Sequence, residues 1–267
     1  MRFLKRLIVF LLLAVLAAGG VFLYARYGEP RRLRVETVEV ADAGLAAPVR
    51  IVIFSDTHIG NEFDTERLRG LVAEINALQA DAVLFLGDLF DNYEQYDGSA
   101  DADAAALSGI TASVKLAVWG NHDMGGKAYR VYPEVMEKAG FVLLENQSFD
   151  AAELGICFVG AADTIFGQPD VAGLFSESLY NILLVHEPDY ALEVSGVPLQ
   201  LSGHSHGGQV YLPFIGAPQV PTGAQTYLRG MYEKQDGGQV YVNRGIGMSL
   251  LPLRLGSVPE LTVLEVS

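Results

Sequence analysis

Five short apolar runs in this chain each end in a polar cluster that an ordinary connecting loop has no need for. Arg50–Phe54 leads into Ser55-Asp56-Thr57-His58, and Ala82–Leu86 into Gly87-Asp88. Val114–Val118 leads through Trp119 into Gly120-Asn121-His122-Asp123, Asn181–Val185 into His186-Glu187, and Leu199–Ser202 into Gly203-His204-Ser205-His206-Gly207-Gly208. Runs of this length and composition are buried strands. Between two of them, Leu68, Leu71, Val72, Ile75 and Leu78 recur at helical spacing behind Asp64 and Thr65, either of which caps a helix. Strand–helix alternation predicts a layered α/β domain, and such domains bind ligands at the carboxyl ends of their strands.

All five histidines (His58, His122, His186, His204 and His206) fall in these segments, beside Asp56 and Asp88. One histidine at a strand end is more often a hydrogen-bonded structural residue than a ligand. Five out of five is hard to explain that way. Asp-x-His and His-x-His put two side chains on the same side of an extended backbone, as two ligands of one ion require. Glycines before Asp88, Asn121 and His204 allow close backbone approach. Nitrogen and oxygen donors without thiolate fit Mn²⁺, Fe or Zn²⁺. A carboxylate such as Asp88 can bridge two ions, and a pair about 3.5–4 Å apart activates water and clamps the oxygens of an in-line displacement.

The remaining pattern predicts a strand over Val35–Val40, a helix over Tyr129–Ala139 ending at Gly140, and a strand-rich last third including Gln239–Val242 and Leu261–Val266. Asp97–Ala106 reads as a solvated loop running into a surface helix. With 32 Asp and Glu against 18 Lys and Arg, the net charge is −14, which argues against nucleic-acid binding. A single cysteine, Cys157, excludes an internal disulfide and a Cys-rich metal cluster.

Charge is unevenly spread. The first 34 residues carry seven of the cations and one anion, leaving residues 35–267 at a net −20. Within that head, Leu7–Tyr24 is 18 residues without a charge, about 27 Å as a helix, close to a bilayer's apolar thickness. The competing reading is a cleaved signal peptide, with Ala17-Ala18-Gly19-Gly20 as the small residues. An uncleaved single-pass anchor over residues 1–34, with Arg31–Arg34 as a basic linker, is favoured because the apolar run continues to Tyr24. Residues 35–267 then form one domain. Cations on both flanks nearly balance; the basic start favours an extracytoplasmic body.

The order D-x-H, G-D, G-N-H-D, H, G-H-x-H resembles the calcineurin-like metallophosphoesterase superfamily, over roughly Arg50 to the C-terminus. His-Glu-Pro at 186–188, Gly-His-Ser-His-Gly-Gly-Gln at 203–209 and Asn-Arg-Gly-Ile-Gly at 243–247 resemble its membrane-associated bacterial phosphodiesterase branch. Some enzymes related to that branch cleave the pyrophosphate of UDP-2,3-diacylglucosamine in lipid A synthesis. The resemblance implies an α/β/β/α sandwich with a dinuclear metal site. It implies that Asp56, His58 and His206 hold one metal and Asn121, His186 and His204 the other, with Asp88 bridging. It also implies that His122 stabilises the phosphoryl oxygens or protonates the leaving group, oriented by Asp123. Ser205 departs from the branch, which often has Thr there.

Weaker signals have bland alternatives. Arg244, in the family-like block, could meet phosphate or form an ordinary ion pair; Arg254 is a lesser candidate. Asp163 reads as a turn residue, Trp119 as core and Cys157 as a buried small hydrophobe, while Glu187 reads equally as a solvated turn residue or a partner of His186. The expected activity is hydrolysis of a phosphate ester or pyrophosphate, lipid- or nucleotide-linked. The alternatives are an anchored hydrolase of soluble substrates and an inactive metal-stabilised binding module. A metallo-β-lactamase would need His-x-His-x-Asp-His, which is absent.

Overall fold

The computed structural model describes residues 2–267. Helix α1 (Arg2–Leu23) has none of its residues buried. It continues into a π turn, Tyr24–Gly28, and a 3₁₀ turn, Glu29–Arg31. These turns do meet the body, burying Ala25, Glu29 and Pro30. The chain thus docks just before the expected basic linker: Arg31–Arg34 itself stays exposed and leads directly into β1 (Arg34–Val40).

Then come β2 (Val49–Phe54), α2 (Thr65–Ala77), β3 (Ala82–Phe85), α3 (Ala100–Leu107), β4 (Val114–Val118), the single turn α4 (Asn121–Met124) and α5 (Tyr132–Ala139). The second half holds β5 (Val142–Leu144), β6 (Gln147–Ala151), β7 (Ile156–Gly160), β8 (Tyr180–Leu184), β9 (Leu199–Ser202), β10 (Gly230–Glu233), β11 (Gln239–Val242) and β12 (Glu260–Val266).

Two six-stranded sheets result, in the orders β1-β12-β2-β3-β4-β5 and β10-β11-β9-β8-β7-β6. β2, β3, β4 and β5 run parallel, as do β7, β8, β9 and β11. Alternation along the strands explains the layering. Ile51, Ile53, Leu84 and Leu116 face the second sheet and meet Phe158, Leu184 and Leu201. Val52, Phe54, Val83 and Phe85 point the other way, onto α2, α3 and α5. Each such buried side chain contributes about 1.5–3 kcal/mol.

Asp64 caps α2 by accepting from the Arg67 amide at 2.9 Å. The helix expected from Tyr129 begins at Tyr132, because Pro133 fits only in a first turn. α3 is less solvated than its sequence implies: Ala104, Ala106 and Leu107 are buried, and Asp103 is buried against Tyr96 and Thr65. On the outer face of the second sheet, Cys157, Val159, Leu183 and Val185 are covered by Val171, Tyr190 and Val197. That fourth layer consists of loops and the 3₁₀ turn Pro188–Leu192.

Candidate metal centre

The carboxyl ends of β2, β3, β4, β8 and β9 converge, so the five polar clusters meet. Asp56, His58 and His206 form one group of potential ligand atoms and Asp88, His186 and His204 another, each within 4.8 Å of one another. Asp88 stands between the groups: its Oδ2 lies 3.6 Å from His58 Nε2 and 3.1 Å from His186 Nε2. Asp56 Oδ1 lies 3.5 Å from His206 Nε2 and 3.9 Å from His186 Nε2. His58 Nε2 and His206 Nε2 face each other at 3.1 Å.

The backbone bends sharply to achieve this. Asp56, His58, Asp88, His204 and His206 all have φ between 46° and 66°. Non-glycine residues rarely adopt that conformation, at a cost of order 1 kcal/mol each, and such strain gathers at functional sites. Gly120 and Gly203 are needed for close approach: a Cβ at Gly120 would overlap Asp88 Oδ1, and one at Gly203 would come 2.7 Å from Asp56 Oδ2.

The imidazoles are turned as ligands are. His58 Nδ1–H donates to Asp91 Oδ1 at 3.1 Å, His186 Nδ1–H to the Leu86 carbonyl at 2.6 Å, and His204 Nε2–H to the Thr222 carbonyl at 2.8 Å. Each ring thereby turns its other nitrogen toward the centre; burial would lower the His186 pKa, but Asp88 and Asp56 raise it well above the usual imidazole range, so a cation held there displaces that proton. His186 Nε2 and Asn121 Oδ1 are buried without a hydrogen-bond partner. Unpaired ligand atoms at this depth fit a cation.

Electrostatics follow the same layout. Burial alone would raise the Asp88 carboxyl, but His186, His122 and His58 hold it well below the usual carboxylate range. Burial lowers His204, helped by His186, and lowers His206 further, helped by His58 and Arg254; both stay neutral, as ligands must. His122 is half-buried and donates Nδ1–H to the Asp91 carbonyl at 2.6 Å. Burial would lower its pKa; Asp88 and the Asp91 carbonyl and carboxylate outweigh this and raise it.

Several expected roles move. Asp123 does not orient the His122 ring. Its carboxylate is fully buried and accepts from the amides of Asp88 (2.7 Å), Leu89 (2.9 Å) and Gly120 (3.1 Å), so it fixes the Asp88 loop. Asp91, which the sequence reading missed, serves His122 instead. Its signal was the Gly-Asp-x-x-Asp spacing at 87–91, beside histidines that each need an acceptor. Arg244 pairs its Nε with Glu260 Oε2 at 3.1 Å, because the buried Glu260 needs a counter-charge. Arg254, the lesser candidate, is fully buried, donates to the carbonyls of Gly247, Arg244 and Ser257, and lies 3.2 Å from His206 Nδ1. Glu187 is buried rather than solvated, against Thr164.

The model of the calcineurin-like phosphoesterase family matches residues 49–208, the segment that carries all five clusters. The chain belongs to that family. It is 39% identical to the uncharacterized metallophosphoesterase YkuE of Bacillus subtilis, over 98% of this chain and 95% of the relative. It is 30% identical to the phosphodiesterase YaeI of Escherichia coli, over 94% and 95% of the two chains. A transmembrane protein with a metallophosphoesterase domain from Danio rerio is 27% identical over 97% of this chain and 62% of its own. In three dimensions the chain resembles a dimetal phosphatase from Danio rerio with a TM-score of 0.51 at 13% identity, covering 77% of this chain and 90% of that one. As a member of this family the chain is a metal-dependent phosphoric ester hydrolase, and its Asp and His groups form a site for two divalent ions.

Proposed function

We propose that this protein is a membrane-anchored phosphodiesterase or pyrophosphatase whose substrate carries a lipid or nucleotide group. Asp56, His58 and His206 would hold one ion and Asn121, His186 and His204 the other, with Asp88 shared. The observation that carries this is the position of Asp88 Oδ2 between the ligand nitrogens of His58 and His186. Two such ions supply Lewis acidity and a water acidic enough to attack phosphorus at neutral pH.

The chain's own residues do the rest. His122 sits on the pocket wall with Nε2 free, placed to stabilise the phosphoryl oxygens or protonate the leaving oxygen. Asp91 holds its ring, and Asp123 holds the Asp88 loop. No ligand position is missing, which disfavours an inactive binding module.

Residues 1–34 act as the anchor and 35–267 as the catalytic domain. The support is a 22-residue helix, uncharged from Leu7 onward, that the body leaves wholly uncovered. The basic start supports a body on the outer side. The test is full-length protein in detergent, given Mn²⁺, Fe²⁺ or Zn²⁺ and offered an aryl phosphodiester, an aryl phosphomonoester and a lipid-linked nucleotide. Faster turnover of the diester or anhydride supports the proposal. Preference for the monoester would replace it.

A further inference from the structure

The base of the anchor and the mouth of the metal site belong to one hydrogen-bonded unit. The Ala25 carbonyl accepts from the Arg254 amide at 2.9 Å, and Glu29 Oε1 accepts from the Ser257 amide at 2.7 Å. Ser257 Oγ donates to the His206 carbonyl at 2.6 Å. Gln209 donates from Nε2 to the carbonyls of Ser249 and Leu251, both at 2.9 Å, and the Tyr211 amide donates to the Leu255 carbonyl at 2.6 Å. Loops 209–216 and 248–257 are therefore fastened both to the foot of α1 and to the His206 turn.

What these loops display is unlike the rest of the body. Phe214 is fully exposed at the tip of a turn closed by Leu212 and Gly216, and Ile215, Leu250 and Leu251 are 74%, 78% and 58% exposed. Phe214 and Leu250 have φ of 67° and 60°, a strained conformation for bulky side chains, so the outward display is held by the fold. Val210–Leu228 and Gly245–Leu253 contain no charged residue, although residues 35–267 carry a net −20. A pocket of about 400 Å³ runs from Asp88, Asn121 and His122 to Leu250 and Leu251 and opens here.

We propose that Phe214, Ile215, Leu250 and Leu251 enter the interface of the bilayer that holds α1, seating the pocket mouth on the lipid headgroups. This rests on the anchor reading. A bilayer entered by α1 lies against whatever surrounds its foot, and an uncharged apolar rim suits that depth. The pocket then takes phosphate groups presented at headgroup depth, with the attached chain leaving past Leu250 and Leu251.

Full-length protein with Phe214→Trp, reconstituted into phosphatidylcholine vesicles with brominated acyl chains, tests this directly. Trp119 is buried and supplies the background. Val142→Trp, on the edge strand β5 at the opposite side of its sheet from β1, is the control. The Phe214→Trp emission should fall about twofold in brominated vesicles, as an indole at acyl depth does, with Val142→Trp unchanged. In parallel, Phe214→Asp with Ile215→Asp should keep hydrolysis of a soluble aryl phosphodiester and lose about tenfold on a phosphodiester embedded in vesicles. Unquenched Phe214→Trp in protein that sediments with the vesicles would overturn the seating while leaving the anchor intact. Release of the protein by salt would overturn both. Self-association in detergent abolished by Phe214→Asp, with no quenching, would assign the patch to a second copy. Absence of metal-dependent hydrolysis of the soluble ester would fail the enzymatic reading alone, since the quenching does not depend on it.

Discussion

The Arg254 guanidinium lies 3.2 Å from Nδ1 of His206, with no solvent exposure of its own. Burial pulls the Arg254 pKa down to about 10, which still leaves it charged at neutral pH. Its hydrogens go to the carbonyls of Gly247, Arg244 and Ser257, so one planar fork ties the Asn243–Gly247 block and the Ser257 loop beside a ring proposed to hold metal. Arg254→Met would orphan those carbonyls and free the ring. We expect it to cost about 3 kcal/mol in stability, read as a lower Tm, and to lower metal content. Arg254→Lys should rescue only part, because an ammonium cannot span the same acceptors.

Asp88→Ala should abolish hydrolysis and remove more metal than any single histidine change, His204→Ala included. Asp88 faces both ligand groups, whereas His204 belongs to one. Elemental analysis of the purified variants decides it, and normal stoichiometry in Asp88→Ala would sink the bridging role. The change also frees the His122 amide, which donates to Asp88 Oδ1 at 2.8 Å, so some lost turnover will reflect a displaced His122.

His122→Ala should keep its metal and lose turnover by roughly 10²–10⁴-fold. The loss should shrink on an aryl phosphodiester, whose leaving group needs no proton. An equal loss on good and poor leaving groups would leave the ring only a charge-stabilising role. Asp91→Asn should act in the same direction but less strongly, because the backbone carbonyl that holds His122 survives the change.

The site was legible because its chemistry is written at strand ends, where histidine and aspartate interrupt otherwise apolar runs. β9 and β11 fall at the limits the pattern gives, and Asp64 caps α2 as expected. β5, β6 and β10 were not legible: they are short, and Gln147–Ala151 is too polar to look like a strand. Such segments are ordered by pairing with distant partners rather than by local pattern. Arg254 was misjudged, Glu187 left open and Asp91 missed for a related reason. A charged residue in a loop looks solvated until the fold shows which buried acceptor or donor it meets.

Asp163 and Glu187 are buried side by side, and burial together with the Glu187 carboxylate raises the Asp163 pKa from 3.8 to about 7. A carboxyl raised on folding costs nothing below its unfolded pKa. Its penalty grows as pH rises from about 4 and is complete above about 7. Asp163→Asn can still accept from the amides of Ile165 and Phe166 and can donate to Glu187. We expect the variant to gain stability at pH 8 and little at pH 4, the difference being at most about 4 kcal/mol. Calorimetric Tm across that range checks the sign, and a gain confined to acid pH would refute the pairing.

The last expectation concerns what holds the protein to a membrane. Residues 35–267 carry a net −20 and should be repelled by anionic headgroups at long range, so surface charge cannot retain them. Of the cations at the foot of α1, Arg26 is paired with Glu62 and Arg34 with Glu36, which leaves Arg31 and Arg32 against a body of net −20. On the anchor reading retention comes from α1, which is uncharged from Leu7 onward and none of whose residues is buried by the body. Full-length protein in membrane fractions should therefore resist high salt and require detergent. A mature N-terminus near Gly20 would instead reveal a cleaved signal. The docked foot predicts how truncation should behave. Removal of residues 2–23 deletes only unburied helix and should leave metal content and hydrolysis of a soluble diester unchanged. Removal as far as residue 33 also strips Ala25 from Arg254 and Glu29 from Ser257, and should lower Tm and metal content together. Equal behaviour of the two truncations would mean that the foot of the helix contributes nothing to the His206 turn.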